Sequence, residues 1–308
     1  MPRRWLRLAR WVVGLAILWF AGRSLLRNWH ELEAQPLAWR VDPVRIILAA
    51  LVVWAMYALL VTAWRRLLTG WGERLDGWTA ARIWTVSNLG KYLPGKVWAI
   101  AGMALMARQA GVSPAAATGS AVILQAVSIG SGAAVAAFTG AAALERARPG
   151  ATAALWLLLA GAVGGIALLF WPPVLRRLLR VAAPEAEGRG APPLTAILYG
   201  VAANILAWVG YGLALWLLAR GLLPGAGLEL RAAIAVFTAS YLAGFLALIA
   251  PGGLGVREGL FILMLQGPLG IAAATALALA SRVLLTLTEL GAAAPFLALP
   301  RRNARVAL

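Results

Sequence analysis

No cysteine occurs in the sequence, which excludes disulfides, thiolate metal sites and cysteine nucleophiles. Histidine is almost as scarce. The single one, His30, stands beside Glu31 and offers no cluster of the kind a zinc site needs. Charge is thin as well: 13% of the 308 residues are charged, and 11 acidic residues face 28 basic ones. No G-x-x-x-x-G-K-[ST] loop is present, so nothing indicates ATP-driven pumping. What the chain does have is apolar sequence, 62% of it, in runs that exclude a soluble domain. The composition specifies a polytopic helical membrane protein. The net charge of +17 comes from arginines at the ends of apolar runs, not from a polar face with interleaved aromatics. It therefore reads as positive-inside topology and contact with anionic headgroups, with no nucleic acid as partner. The fifteen tryptophans suit interfacial anchors.

Taken in order, Arg3, Arg4, Arg7 and Arg10 precede a short apolar run at 11–22, which lacks a small-residue cleavage site and reads as an uncleaved first helix. Residues 44–64 form a second span of membrane length, closed by Arg65 and Arg66. Between 78 and 107 the apolar sequence is cut by Asn88, Gly90, Lys91, Pro94, Gly95 and Lys96, and neither side reaches the ~20 residues of a spanning helix. This segment predicts a re-entrant hairpin. Residues 114–143 give a further span rich in Ala, Gly and Ser, whose Gln125, Ser128 and Ser131 predict a polar stripe suited to helix packing. Spans at 151–171 and 194–219 flank a polar linker at 176–193. A second hairpin at 231–266 turns at Pro251, Gly252, Gly253, Gly255 and Gly259, and the last span, 271–299, carries Arg282 and Glu289 inside it.

The predicted fold is all-α, with about six transmembrane helices and two re-entrant hairpins in a single membrane domain. Laying Pro94-Gly95 on Pro251-Gly252, a shift of about 157 residues, also superposes Gly102 on Gly259, Gln109 on Gln266 and the Ala-Ala-Ala-Thr of 115–118 on that of 272–275. The repeats thus cover 44–143 and 194–299. Arginine counts favour a cytoplasmic linker and both termini inside. Three spans separate the hairpins, so they enter from opposite faces, and inverted repeats with broken helices are the mark of an alternating-access transporter.

The paired stretches NLGKYLPGKVW (88–98) and APGGLGVREG (250–259) resemble the signatures of the transmembrane domain of lysylphosphatidylglycerol synthases and of their stand-alone flippase-like relatives. The resemblance runs from about residue 46 to 299. In bifunctional members this domain flips an aminoacylated phospholipid that a soluble C-terminal domain makes. The chain ends at Leu308 and is expected to be a stand-alone member without that synthase domain. The resemblance implies a bacterial inner-membrane protein that moves a phospholipid, aminoacylated phosphatidylglycerol included. A polyprenyl-phosphate or glycolipid carrier stays open as the alternative cargo, and a non-transporting partner of a lipid-modifying enzyme as the alternative role. No cofactor, metal or catalytic residue is expected; a homo-oligomer and a separate lipid-modifying enzyme stay open as partners.

A lipid headgroup crossing the membrane needs fixed counter-charges on a wet, protein-lined path. Lys91, Lys96, Arg257 and Arg282 are cations suited to a phosphate, the arginines by a bidentate fork and the lysines as point charges. Glu258 and Glu289 suit a cationic headgroup amine or a coupling proton. An equally open reading is structural: Arg282 and Glu289 lie two helical turns apart on one face, so an Arg257–Glu289 or Arg282–Glu258 pair would pin the second hairpin to the last helix. The hairpin glycines serve the turn conformation rather than a ligand.

Overall fold

The computed structural model describes residues 40–92, 97–147, 192–247 and 255–298, with Gly253 and separate positions between 157 and 180. The run at 11–22, most of the linker, Lys96, Pro94, Gly95, Pro251 and Gly252 lie outside the described residues, and the expected span at 151–171 is described only at separate positions. Among the described residues all regular structure is helical: α1 (Pro43–Gly70), α2 (Gly77–Asn88), a 3-10 turn (Leu89–Tyr92), α3 (Val97–Gln109), α4 (Pro114–Ala147), α5 (Leu194–Leu222), α6 (Leu230–Leu246), α7 (Val256–Leu269) and α8 (Ile271–Ala298). Of these, α1, α4, α5 and α8 are long and apolar enough to cross a membrane. Helices α2, α3, α6 and α7 hold 12, 13, 17 and 14 residues, short of a full span. The order long, short, short, long therefore occurs twice. In each case the two short helices pack on one another.

Helix ends follow from local chemistry. Asp42 caps α1, accepting the backbone N–H of Val44 and Arg45 at 3.1 and 3.2 Å, with Pro43 at the first helical position, where its missing N–H costs nothing. Asp76 caps α2 through Thr79 N–H at 3.0 Å. Ser113 and Pro114 start α4 in the same manner, the Ser113 hydroxyl accepting from Ala116 N–H. Gly111 and Gly270, both at positive φ, end α3 and α7, and α8 begins at the next residue after Gly270.

The helices sort into two compact units. One gathers the described residues within Met1–Val53, Gly132–Ala162 and Trp208–Leu285; the other those within Trp54–Ser131, Val163–Ala207 and Thr286–Leu308. Each long helix is divided between them, whereas each pair of short helices belongs wholly to one.

In the unit containing α2 and α3, Trp64, Leu67 and Leu68 of α1 are buried with Ile83, Met103, Ala107, Ile123 and Ile197 in one apolar cluster. Trp64 Nε1 donates to Ala117 O at 3.3 Å. Trp54 docks α1 on α8: its Nε1 donates to Thr288 O at 2.9 Å, and a Cβ on Gly291 would lie 3.1 Å from its ring.

In the unit containing α6 and α7 these two helices pack on one another, and Phe261 and Leu265 of α7 are buried, as are Ala272 to Ala274 and Leu277 of α8. Small residues permit this. A Cβ on Gly212 of α5 would come within 2.4 Å of Ile234, and one on Gly132 of α4 within 2.8 Å of Trp208, so both glycines allow close helix approach of the kind that packs helices in lipid.

The polar stripe expected on α4 is not one face. Ser131 is buried and bonds Val127 O at 2.7 Å, Ser128 is half-buried and Gln125 is exposed. Steps of three residues fall about 60° short of a turn, so the three positions fan around the helix.

Asp76 yields a prediction. Hydrogen bonding from Thr79, chiefly its side chain, holds the carboxyl below the ordinary aspartate value. Because the folded-state value is depressed, the stabilisation is complete above the unfolded value near ~3.9 and is lost as pH falls through the lower folded one. Asp76→Ala is expected to cost about 1 kcal/mol and Asp76→Asn much less. Thermal melts in detergent at pH 7 and pH 3 check this: the gap between wild type and Asp76→Ala narrows at the acid end.

Candidate functional site

The tip of the first hairpin carries Lys91 and Tyr92 on the 3-10 turn. Lys91 Nζ lies 2.5 Å from Glu289 Oε1 of α8, and Tyr92 donates its hydroxyl to Glu289 Oε2 at 2.6 Å. Tyr57 of α1 reaches Oε1 at 3.4 Å, and Thr286 Oγ1 is 3.4 Å from the Tyr92 hydroxyl. One carboxylate thus collects an ammonium and two phenols. This is the saturation that an anion inside an apolar bundle requires. Gly90 lets the tip close: a Cβ there would be 2.6 Å from Ala99 N at the start of α3.

The second hairpin turns through Gly253 and Gly255, at φ +70° and +82°, which only glycine adopts readily. A Cβ on Gly253 would lie 2.8 Å from the Gly244 backbone, and one on Gly244 2.9 Å from Arg257 Cβ. Gly259 differs. It sits inside α7, past the turn, with open space where a Cβ would go.

Helix α7 starts at Val256, and Glu258 in its first turn reaches back to accept Gly255 N–H at 2.8 Å. The same carboxylate takes Arg282 Nη1 of α8 at 2.6 Å. It therefore caps a helix, where the N-terminal dipole favours an anion, and pairs a cation at once.

Arg257, beside it, is 8% exposed. Its Nη2 donates to Ser281 Oγ at 3.1 Å, and its guanidinium carbon lies 5.3 Å from the ring centres of both Phe237 and Tyr241 on α6. Trp208 and Tyr211 extend this aromatic wall: Tyr241 lies 5.6 Å from Trp208, and Phe237 stacks on Tyr211 at 5.4 Å. Such contacts favour a desolvated guanidinium.

Of the candidate residues, Lys91 meets Glu289 and Glu258 meets Arg282, each pair within one unit. The Arg282–Glu258 alternative of the two crossed pairs is the one formed; Glu289 is engaged by the first hairpin instead of Arg257. Tyr57, Tyr92, Thr286, Ser281, Phe237 and Tyr241 were not singled out from sequence. Tyr92 and Ser281 are chain neighbours of Lys91 and Arg282, which is the only sequence signal they carry. Among the described residues no group of His, Asp or Glu side chains is placed to hold a metal.

Two predictions follow from this geometry. Gly253→Ala is expected to destabilise strongly, since the added Cβ meets backbone and φ is positive, whereas Gly259→Ala is neutral or stabilising by about 0.5–1 kcal/mol, as for any open helical site. Thermal melts of the two variants give the comparison directly. In the other, Glu258→Ala and Arg282→Ala each cost about 3 kcal/mol because each leaves an uncompensated ion, and the double variant costs less than their sum. A double-mutant cycle reads that coupling; strict additivity would mean that the pair contributes nothing.

No curated protein matches the chain. The family model described as the lysylphosphatidylglycerol synthase TM region matches residues 7–287, a stretch that includes both hairpins and three of the four long described helices in full. With four described helices long and apolar enough to cross a bilayer, the chain is a multi-pass helical membrane protein, and it belongs to the lysylphosphatidylglycerol synthase TM region family.

Proposed function

We propose that the protein is a lipid flippase of the bacterial inner membrane, moving a phospholipid between leaflets by alternating access, with no catalytic step of its own. The observation that carries this reading is the set of ionised side chains on short, broken helices: Lys91 and Glu258 at the hairpin tips, each held by a charge on the long helix α8. Arg282 and Glu289 lie about 17 and 27 Å along a helix of some 42 Å, away from either end. Charges so placed are costly and by default functional, and irregular backbone at membrane depth is tolerated where it lines a protein cavity.

The family assignment supports a membrane lipid as cargo. Aminoacylated phosphatidylglycerol is the finer assignment, since its headgroup bears both a phosphate and ammonium groups and so matches an array containing both signs. Arg257 and Arg282 are the phosphate partners in this scheme, with Lys91 and Lys96; Glu258 and Glu289 are the partners of the ammonium groups. The twice-repeated order of long and short helices supports an inverted repeat, with the hairpins entering from opposite faces and both termini cytoplasmic.

The test is reconstitution. Unilamellar vesicles holding the purified chain and a trace of fluorescent phosphatidylglycerol, lysylphosphatidylglycerol or polyprenyl phosphate are challenged with a membrane-impermeant quencher. Faster exposure of the inner-leaflet pool of the first or second lipid, reduced at least about tenfold in Glu258→Gln/Arg282→Gln, is the expected result, tenfold being about 1.4 kcal/mol of barrier. Movement of polyprenyl phosphate alone would reassign the cargo. No acceleration of any lipid over protein-free vesicles would overturn the proposal.

A further inference from the structure

Gln125 occupies a place where a membrane helix normally carries an apolar side chain. It lies eleven residues into α4, about 17 Å from the Pro114 end and about 24 Å from Ala141, well inside the apolar stretch Pro114–Ala141 that is long enough to cross a membrane. Its side chain is exposed, and among the described residues none forms a hydrogen bond with its amide. An amide left bare in hydrocarbon is penalised, and a side chain of three carbons is too short to carry it to the interface.

The surroundings indicate what meets it. Lipid-facing surfaces elsewhere are marked by large exposed apolar side chains: Leu51 on α1, Leu206 on α5, Val283 and Leu287 on α8. On α4 the first such side chain is Phe138. The positions one turn from Gln125, Ala121, Val122, Ser128 and Ile129, are half-buried. The exposed spot is therefore a single polar side chain set in a mostly covered helix, not part of a lipid-facing stripe. The repeat register adds a second observation, since the shift of about 157 residues lays Gln125 on Arg282, the residue that α8 presents to the second hairpin.

We infer that Gln125 lines the hydrated path and hydrogen-bonds the phosphate of a passing lipid headgroup. The inference rests on the flippase reading and adds to it a contact on α4. The amide –NH2 donates to a phosphate oxygen, while its carbonyl accepts from water or from a headgroup hydroxyl or ammonium. Being neutral, it offers these bonds without the attraction that would hold a charged headgroup in place.

The cysteine-free chain permits a direct test. Gln125→Cys is placed in vesicles of digalactosyl diacylglycerol, which carry no phosphate, and exposed to a charged, water-soluble methanethiosulfonate. Arg74→Cys, in the exposed loop after α1, is the aqueous control; Val283→Cys, exposed at a similar depth of α8, is the lipid control. Gln125→Cys is expected to react within about tenfold of Arg74→Cys and far faster than Val283→Cys, because the reagent does not enter hydrocarbon. Adding phosphatidylglycerol to the vesicles slows the reaction severalfold. Inertness equal to that of Val283→Cys overturns the inference, and cross-linking of Gln125→Cys between two copies assigns the position to a dimer contact instead. Equal rates with and without phosphatidylglycerol, or full protection by inorganic phosphate alone, overturn the lipid assignment. The two readings separate cleanly: a reactive, lipid-protected Gln125→Cys in a chain that moves no lipid sinks transport and keeps the contact. Lipid movement by wild type that Gln125→Leu leaves unchanged sinks the contact and keeps transport.

Discussion

Hydrocarbon offers no partner to an ion or to an unbonded backbone group, and α8 is the element on which this constraint weighs most. It carries a cation, Arg282, and an anion, Glu289, well inside a helix long enough to span. Each is met by a hairpin tip of opposite sign: Glu258 for Arg282 and Lys91 for Glu289. The dependence is mutual. Helices α2, α3, α6 and α7 are too short to span, and their tip charges would be as exposed as those of α8 without the pairs. Removing one partner of a buried pair typically costs about 3–5 kcal/mol, a large share of the stability of any single domain.

Backbone packing supports what the ion pairs hold. At the second tip, Gly253 and Gly244 bring two chain segments so close that a single methyl would collide with backbone, and positive φ at Gly253 and Gly255 turns the chain into α7. That turn places the N-terminus of α7 where Glu258 caps it, which in turn aims the other carboxylate oxygen at Arg282. The first tip reaches a comparable result with one glycine, Gly90, packed on the backbone of Ala99. Glycine thus sets the geometry, and the charges fix it.

Much of this was legible in the chain. Apolar length located the four long described helices, and interruption by Asn, Gly, Lys and Pro located the break between α2 and α3, because span length and helix breaking are local properties. The seven-residue spacing of Arg282 and Glu289 placed them on one face, and the Arg282–Glu258 pair was one of two crossed pairs open from sequence. The Lys91–Glu289 contact joins residues 198 apart, and no local pattern specifies such a meeting. The same holds for Tyr57 on Glu289 and for Phe237 and Tyr241 on Arg257: aromatic residues are so frequent in membrane helices that spacing alone does not single out those facing a charge. Gly259 shows the opposite error. Its place in a glycine-rich run suggested the turn, yet the helix had begun at Val256, because Glu258 caps the backbone three residues earlier.

On the transport reading, the pairs also limit how the molecule moves. A ligand shifts a conformational equilibrium only by its differential affinity for the two states. A hairpin tip that leaves α8 abandons two ions, and a lipid tail supplies nothing in exchange. A headgroup with a phosphate and an ammonium does supply it. The phosphate replaces Glu258 at Arg282, and the ammonium replaces Arg282 at Glu258, so the pair opens around the cargo without leaving either ion bare. An uncharged lipid gives no such exchange and leaves the tip closed. Selectivity for a charged headgroup then follows from the cost of the empty, opened state rather than from the fit of a rigid pocket.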